Sequence, residues 1–423
     1  MRRATAYIEL QQFGQAVQDL KTALQFEPHN KECISKLSSI ASRLRVAPHS
    51  DPPSPIHRQA FIQAALVVAT RNGWTSIAVK GNPAPPALNG HTLFRAADEK
   101  IYLFGGRSTR DQEALVYVLD TSDFSWEYVS MSGVSPPSSR AWHSICSIHE
   151  ATSTMCVYGG ISSQGEDPQV HLLAFLDQHR LDWLPVSSVN GNIPAPRSGH
   201  TATGVSIFGG DHIVGTHDVY IFGGRTKKGV SSDLYILHAA RRKSDGDVDQ
   251  QHSFALTWEQ VPQLGLWPSG RDGHTMCSLS NSSKLVLFGG NRQKNEDKLN
   301  DTWVLDTTTG TWDELICSGD IPPPRSYHTA HIIGSYMFVV SGRMQDTEDS
   351  NVYMLDIECR EWFRVPIPEN AALGARAWHA SILTEDYKIF LLGGGTFTGP
   401  QKDAAILNLS QFASFCGQTS TSS

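Results

Sequence analysis

A mainly β fold, a six-bladed β-propeller behind a short α-helical segment, is what this sequence predicts, on three observations. Six histidines (His91, His143, His200, His274, His328, His379) recur at steps of 52, 57, 74, 54 and 51 residues. Six tryptophans (Trp74, Trp126, Trp183, Trp258, Trp312, Trp362) keep almost the same rhythm, at 52, 57, 75, 54 and 50. After each histidine, and before the next tryptophan of the series where one follows, lies an apolar run closed by small residues: IYLFGG, MCVYGG, VYIFGG, LVLFGG, FVVSG and IFLLGG. Self-similarity near fifty residues marks a propeller or another repeat array.

The fourth unit shows how one repeat folds. Arg271-Asp-Gly-His274 opens it, and TMCSL reads as a short inner strand. After a polar SNSSK turn, LVLFGG is a continuous apolar run, the pattern of a strand buried on both faces. Gly289-Gly290 ends it where the backbone turns and a Cβ is not tolerated. DTWVLD alternates as a third strand, TTTG turns, and TWDELI supplies a fourth strand led by Trp312. Four antiparallel strands joined by tight turns make one blade.

This pattern resembles the kelch repeat over residues 74–409. The resemblance rests on the glycine doublet, a third-strand aromatic (Tyr117, Tyr235, Trp303, Tyr353), the fourth-strand tryptophan and an Arg-x-x-His opening. That opening recurs at Arg140/His143, Arg197/His200, Arg271/His274, Arg325/His328 and Arg376/His379, with Leu88 replacing the arginine in the first unit. The sixth unit runs out without a tryptophan, and Trp74 precedes the first histidine by 17 residues. Residues 74–79 are therefore expected beside 404–409, closing the last blade and removing open edges. In the third unit VYIFGG fits the register better than SIFGG at 206–210, and 239–253 reads as a solvated insertion. Residues 410–423 are expected to form a disordered tail.

Residues 1–46 follow another rule. Tyr7, Ala16, Leu20, Ala23 and Pro28 resemble the tetratricopeptide (TPR) helix-turn-helix pattern, with Ala4 in place of the usual glycine. The first helix should end near Gln12, the second run over 13–26, and KECISKLSSIASRLR form a third. One such repeat cannot bury its own apolar face. Either the segment is the tail of a longer array, the preferred reading, or its helices pack on the propeller. The resemblance also sets Arg2 and Arg3 where co-chaperone TPR domains clamp a partner's terminal carboxylates, although a solvated pair is the preferred reading. Residues 47–73 are read as a proline-rich linker and an amphipathic helix leading into Trp74.

Composition narrows function. The 423 residues are 18% charged and 40% apolar, with net charge −7 and no extended Lys/Arg run, which argues against a nucleic-acid surface. No stretch has the length or apolarity of a membrane span, and MRRATAYIELQQF lacks the apolar core of a signal peptide. Seven cysteines without a CxxC pair read as buried, reduced thiols, and the chain as cytoplasmic or nuclear. The sequons at Asn281 and Asn408 are then chance matches.

The motifs of chemistry are absent: there is no Gly-Lys of a P-loop, no G-x-S-x-G and no HExxH. Among kelch families, the iron site of nitrile-specifier proteins needs Glu-x-x-x-Asp-x-x-x-His, which does not occur here. The tyrosine-cysteine machinery of copper-radical kelch oxidases has no recognisable counterpart. No catalytic residue, metal or cofactor is assigned, and the repeat histidines are read as hydrogen-bonded within their own blades.

What remains is a surface. Arg107, Arg225, Arg292 and Arg343 start the loops after the glycine doublets, and the kelch resemblance places these loops on one rim of the channel. They would suit an acidic or phosphorylated peptide. Bracing of blades stays open for these four and is preferred for the Arg-x-x-His set. Nearby acids, including Asp111, Glu166, Asp167, Glu296, Asp297 and Asp349, make the rim mixed in charge. The expected function is a monomeric protein-binding scaffold or adaptor, not an enzyme. The rivals are a channel-mouth enzyme or metal-dependent specifier, a ubiquitin-ligase substrate adaptor (weakened because no BTB or F-box segment is visible in the first 73 residues) and a vesicle-traffic effector.

Overall fold

Each glycine doublet ends the second strand of a four-stranded antiparallel sheet in the computed structural model, which describes all residues except 46–53, 82–83, 97–99, 109–115, 130, 134–135, 150–152, 178–179, 207–216, 243–252, 281, 293–296 and 419–423. The fourth sheet is typical, from its inner strand outward: Thr275–Ser278, Lys284–Asn291, Lys298–Asp306 and Thr311–Glu314. The sixth takes Ala380–Leu383, Lys388–Leu392 and Ala404–Asn408 from the C-terminal end and Trp74–Ile77 from the N-terminal end. Trp74 faces Leu407 and Ile77 faces Ala404 in that antiparallel ladder. Short linker strands missed by the sequence reading add a fifth, parallel strand outside sheets 1, 2, 3 and 5. Lys80–Gly81 and Ser318–Gly319 are two residues long and polar, so no alternation could announce them.

The six inner strands touch one another in cyclic order, the last against the first. At the axis the residues just before the six histidines form a cycle of backbone hydrogen bonds. Gly90 N–H donates to the Trp378 carbonyl (2.9 Å), Trp142 to Gly90 (2.8 Å) and Gly199 to Trp142 (2.9 Å). Gly273 donates to Gly199 (2.8 Å), Tyr327 to Gly273 (2.7 Å) and Trp378 to Tyr327 (3.1 Å). Apolar clusters fill the seams between consecutive sheets, and one joins sheet 6 to sheet 1 through Phe390, Leu392, Leu103 and Trp126. In sheets 2 to 5 the outer tryptophan reaches the aromatic before the preceding sheet's glycines: Trp183 on Phe104, Trp258 on Tyr158, Trp312 on Phe222 and Trp362 on Phe288, with centroids 4.9–5.6 Å apart. Such aromatic pairs add about 0.5–1.5 kcal/mol beyond their buried area. The chain is mainly β, and its radial set of sheets is consistent with a β-propeller.

The doublets are forced by histidines on both sides. A Cβ on Gly289 would meet the His328 ring at 3.1 Å, and one on Gly290 the His274 Cβ at 2.9 Å. Both glycines also hold φ near +65° and +107°, where a side chain is strained. Sheet 5 breaks the rule with Ser341, at φ 55°, fully buried, its hydroxyl without a hydrogen-bond partner among the described residues. Ser341→Gly is therefore expected to raise stability by about 1 kcal/mol, by relieving left-handed strain and an orphaned hydroxyl against a smaller unfolded-state entropy cost. A urea midpoint no higher than that of the parent would contradict this.

Helices α1 (Arg2–Glu9), α2 (Phe13–Phe26), α3 (Lys31–Leu44) and α4 (Pro55–Thr70) form one hydrophobic cluster with sheets 5 and 6. Helix α4, expected to be amphipathic, instead buries Ala60, Phe61, Ile62, Ala64, Ala65, Leu66 and Val68, because it packs against α2 and α3 as well as the sheets. Arg58 fastens it: Nε lies 2.6 Å and Nη2 2.8 Å from the carboxylate of fully buried Asp356. Of the terminal pair, Arg3 is engaged by Asp19 rather than simply solvated. The expected disordered tail is corrected over Ser410–Phe415, which forms helix α5. Phe412 anchors it, edge-on to Tyr336 and Phe338 at 5.2 and 5.3 Å. Residues 47–53, the 206–210 doublet copy except Ser206, and most of the 239–253 insertion lie outside the described residues.

Candidate functional site: the axial mouth and its rim

The six repeat histidines stand around the axis, each about nineteen-twentieths buried. Four of them bond not within their own sheets, as expected from sequence, but across the seams, while both ring nitrogens of His91 and His143 have no hydrogen-bond partner among the described residues. His200 Nε2 meets Ser144 Oγ at 2.8 Å, and His274, His328 and His379 meet Thr201, Thr275 and Thr329 at 3.0 Å each. Each hydroxyl belongs to the residue after the preceding unit's histidine, so the pattern was visible in sequence but its partner was not. Ala380 breaks it opposite His91. Burial strongly disfavours the imidazolium: His91 falls to about 4 and His143, His200 and His328 to about 3, with the neighbouring repeat arginine lowering the last three further. The four neutral, hydrogen-bonded rings are joints.

The repeat arginines are joints as well. Arg140, Arg197, Arg271, Arg325 and Arg376 are 0–2% exposed. Each donates through Nη1 to the carbonyl of Gly159, Gly223, Gly289, Ser341 or Gly393 at 2.8–3.1 Å. Each also faces an aspartate of its own sheet. The Arg271–Asp301 contact is bidentate at 2.7 and 2.8 Å, and Arg376–Asp403 similar at 3.1 and 2.7 Å. Arg140 meets Asp167 and Arg325 meets Asp349 at 2.8 Å, the latter off the hydrogen-bond axis, while Arg197 keeps 3.9 Å from Asp233. Asp167 and Asp349, read from sequence as loose rim acids, thus serve the frame. Burial pushes the Asp301 carboxyl up, but its bonds to Arg271 and Trp303 outweigh this and hold it below the ordinary value.

The four loop arginines divide. Backbone bridges Asn89↔Arg107, Ser198↔Arg225, Asp272↔Asn291 and Ser326↔Arg343 define equivalent rim positions. Asn291, not Arg292, is thus the rim residue of the fourth unit, since Arg292 follows its doublet one residue later than the other three arginines follow theirs. Arg107 and Arg292 are exposed. Arg225, expected to be free, is tied by Nε and Nη2 to Asp272 at 2.8 and 2.7 Å. Asn291 binds the other Asp272 oxygen at 2.9 Å and Lys298 Nζ binds Asn291 at 2.9 Å. Burial, reinforced by the Arg343 charge, lowers Lys298 to about 8. Arg343 is not free either: its guanidinium lies 4.1 Å from the Phe397 ring and 5.6 Å from that of Trp378.

Beneath the rim is a hollow of about 130 Å³, lined by Gly90, Trp142, Gly199, Gly273, Tyr327 and Trp378 above the histidines. Each aromatic holds φ between 52° and 57°. Their rings lean over smaller neighbours, Trp142 over Gly90 and Tyr327 over Gly273, where an added Cβ would lie 2.8–3.1 Å from them. The mouth therefore offers aromatic faces, a stacked guanidinium and a half-buried ammonium: binding groups for planar or anionic parts of a ligand. Among the described residues no cluster of three His, Cys, Asp or Glu side chains is placed to hold a metal ion, and no helix is long and apolar enough to cross a membrane.

Sheets, doublets and seam contacts of this kind define a kelch-repeat protein. Residues 57–211, 90–246 and 214–413 match the family described as KLHDC2/KLHL20/DRC7 Kelch-repeats domain, and the chain belongs to that family. It is 29% identical over 285 residues to host cell factor 1 of Homo sapiens, covering 64% of this chain and 12% of the relative. It is 27% identical over 235 residues to Kelch domain-containing protein 2 of Bos taurus, covering 51% and 52%. Acyl-CoA-binding domain-containing protein 5 of Arabidopsis thaliana is 26% identical over 300 residues, covering 70% and 42%. The chain thus spans from about an eighth to about half of these relatives' lengths. Kelch repeats are typically non-enzymatic interaction domains, and the kelch relatives host cell factor 1 and Kelch domain-containing protein 2 suggest protein–protein interaction.

Proposed function

We propose that this chain is a protein-binding scaffold or adaptor, a closed, monomeric six-bladed kelch propeller buttressed by a TPR-like helical segment. It receives a protein or acidic peptide at the axial mouth, in the cytoplasm or nucleus. One observation carries the reading: the buried arginines and histidines are consumed by the frame, whereas the Arg343 guanidinium lies over the rings of Phe397 and Trp378 at the open mouth. A charge oriented this way loses little freedom when it meets a carboxylate or phosphate. Asp272 neutralises Arg225, so recognition rests on Arg343 with Arg107, Arg292 and Lys298 as outer charges.

Affinity purification of the full chain supplies the partner, and isotherms of single variants test the site. Arg343→Ala is expected to weaken binding by about 1.5–3 kcal/mol, the usual worth of a charge-assisted hydrogen bond. Its effect on the melting temperature should be small. Arg107→Ala should cost about 0.5 kcal/mol or less in stability, as an exposed side chain. Parent-like binding by Arg343→Ala, Arg107→Ala and Arg292→Ala alike would remove the mouth as the site.

A further inference from the structure

Within the inner ladder of sheet 2, Cys146 and Cys156 sit directly opposite one another. The equivalent pairs elsewhere are Phe94↔Tyr102, Thr203↔Tyr220, Cys277↔Val286, His331↔Phe338 and Ile382↔Phe390. Only sheet 2 therefore sets thiol against thiol at this position. We propose that Cys146 and Cys156 are a peroxide-responsive pair that closes a reversible cross-strand disulfide.

Three features of the site support this. Facing Cβ atoms in an antiparallel ladder lie about 4.5–5.5 Å apart, and a disulfide spans about 3.5–4.5 Å, so closure draws the strands together by roughly 1 Å. The register of this ladder is already irregular between Thr154 and Met155, next to Cys156, where the backbone can yield. A bond closed against such resistance is strained and readily reduced, as suits a reversible site more than a permanent staple. The two thiols also differ in environment. Cys156 is 1% exposed, and the neighbouring Cys146 thiol, together with burial, holds it protonated. Cys146 is only partly buried, so a small oxidant reaches it first.

The chemistry balances with a hydroperoxide as oxidant. The Cys146 thiolate attacks a peroxide oxygen, the O–O bond breaks, hydroxide leaves and a sulfenic acid forms. The Cys156 sulfur, losing its proton, attacks the Cys146 sulfur, the S–O bond breaks and water leaves. Two thiols are oxidised and hydrogen peroxide is reduced to two waters; a dithiol reductant reverses the bond. Both thiols belong to the seam between sheets 2 and 3, and Ser144, which holds His200, lies two residues from Cys146 on the same strand. Closure would therefore strain the joint beside the axis.

Hydrogen peroxide on the purified full chain is the test, followed by alkylation under denaturing conditions and mass spectrometry. Both cysteines lie in one tryptic peptide, 141–180, because no Lys or Arg intervenes. This peptide should appear unalkylated and lighter by two hydrogens, and dithiothreitol should restore two alkylations, while Cys33 and Cys277 stay alkylatable throughout. With Cys156→Ala the Cys146 sulfenic acid should persist and be trapped by dimedone. With Cys146→Ser the oxidation of Cys156 should slow by at least about tenfold. Two free thiols after peroxide, sulfinic acid at Cys146 with Cys156 untouched in the parent, or equally fast oxidation of Cys156 in Cys146→Ser would each overturn the proposal.

Discussion

Acidification from pH 7 to pH 5 is expected to unfold this protein cooperatively, well above the range where carboxylates titrate. The repeat histidines are neutral in the folded state because burial strips the imidazolium of water. His91 and His331 titrate near 4 and His143, His200 and His328 near 3, while His274 and His379 also lie well below the ordinary value. In the unfolded chain the same side chains titrate near 6.5. Below that value the unfolded state binds protons that the folded state refuses, so stability falls with pH until the folded values are reached. Six or more such groups together remove roughly 10 kcal/mol between pH 7 and 5, comparable with the whole stability of a typical domain. His238 opposes them, since Asp218 and Glu259 raise its value, but it is one partly exposed group. Urea unfolding followed by tryptophan fluorescence at several pH values reads the slope, and His200→Gln should lower it by about one proton. A flat stability between pH 7 and 5 would sink the account of the axis.

Arg271→Ala should be the most damaging single change in the frame, at about 3–5 kcal/mol, the cost of stranding a buried charge partner. The substitution leaves Asp301, three-quarters buried by side chain, without its bidentate partner, and the Gly289 carbonyl without its donor. The chain carries its own control, because the first unit places Leu88, 2% exposed, where the others place arginine. The double variant Arg271→Leu with Asp301→Ala should therefore be milder than Arg271→Leu alone, having removed the stranded charge as well. Urea midpoints at pH 7 decide it, and a double variant no better than Arg271→Leu would mean that the unpaired Asp301 carboxylate carries no cost.

The frame was legible because each of its joints is repeated. Doublets, tryptophans and Arg-x-x-His openings recur at fixed steps, and the apolar runs before the doublets can only be strands buried on both faces. Partners across a seam were less legible. Ser144 and His200 are 56 residues apart, so nothing local says that a hydroxyl of one unit serves the next. The rim was misjudged where register decides, since Arg292 lies one residue past Asn291, which holds the rim position. Asp272 was overlooked because an aspartate inside Arg-x-x-His looks like part of the opening, yet it neutralises Arg225. Helix α5 was hidden by length: its anchors, Phe412 and Phe415, make less than two turns, too short for a period to show. The helices α1–α4 were legible as helices but not as a buttress, because a docking surface is written in the residues of sheets 5 and 6 as much as in their own.

The central claim is that a partner seats on the axial mouth. Hydrogen–deuterium exchange of the full chain, alone and with its purified partner, reads this most directly. Protection is expected in the loops after the doublets, at 105–108, 225–230, 291–292, 343–348 and 395–400, together with the axial residues 142, 327 and 378. Protection confined to the opposite turns, 307–310 and 357–360, or to the helices at 2–44, with the mouth exchanging as in the free chain, would contradict it.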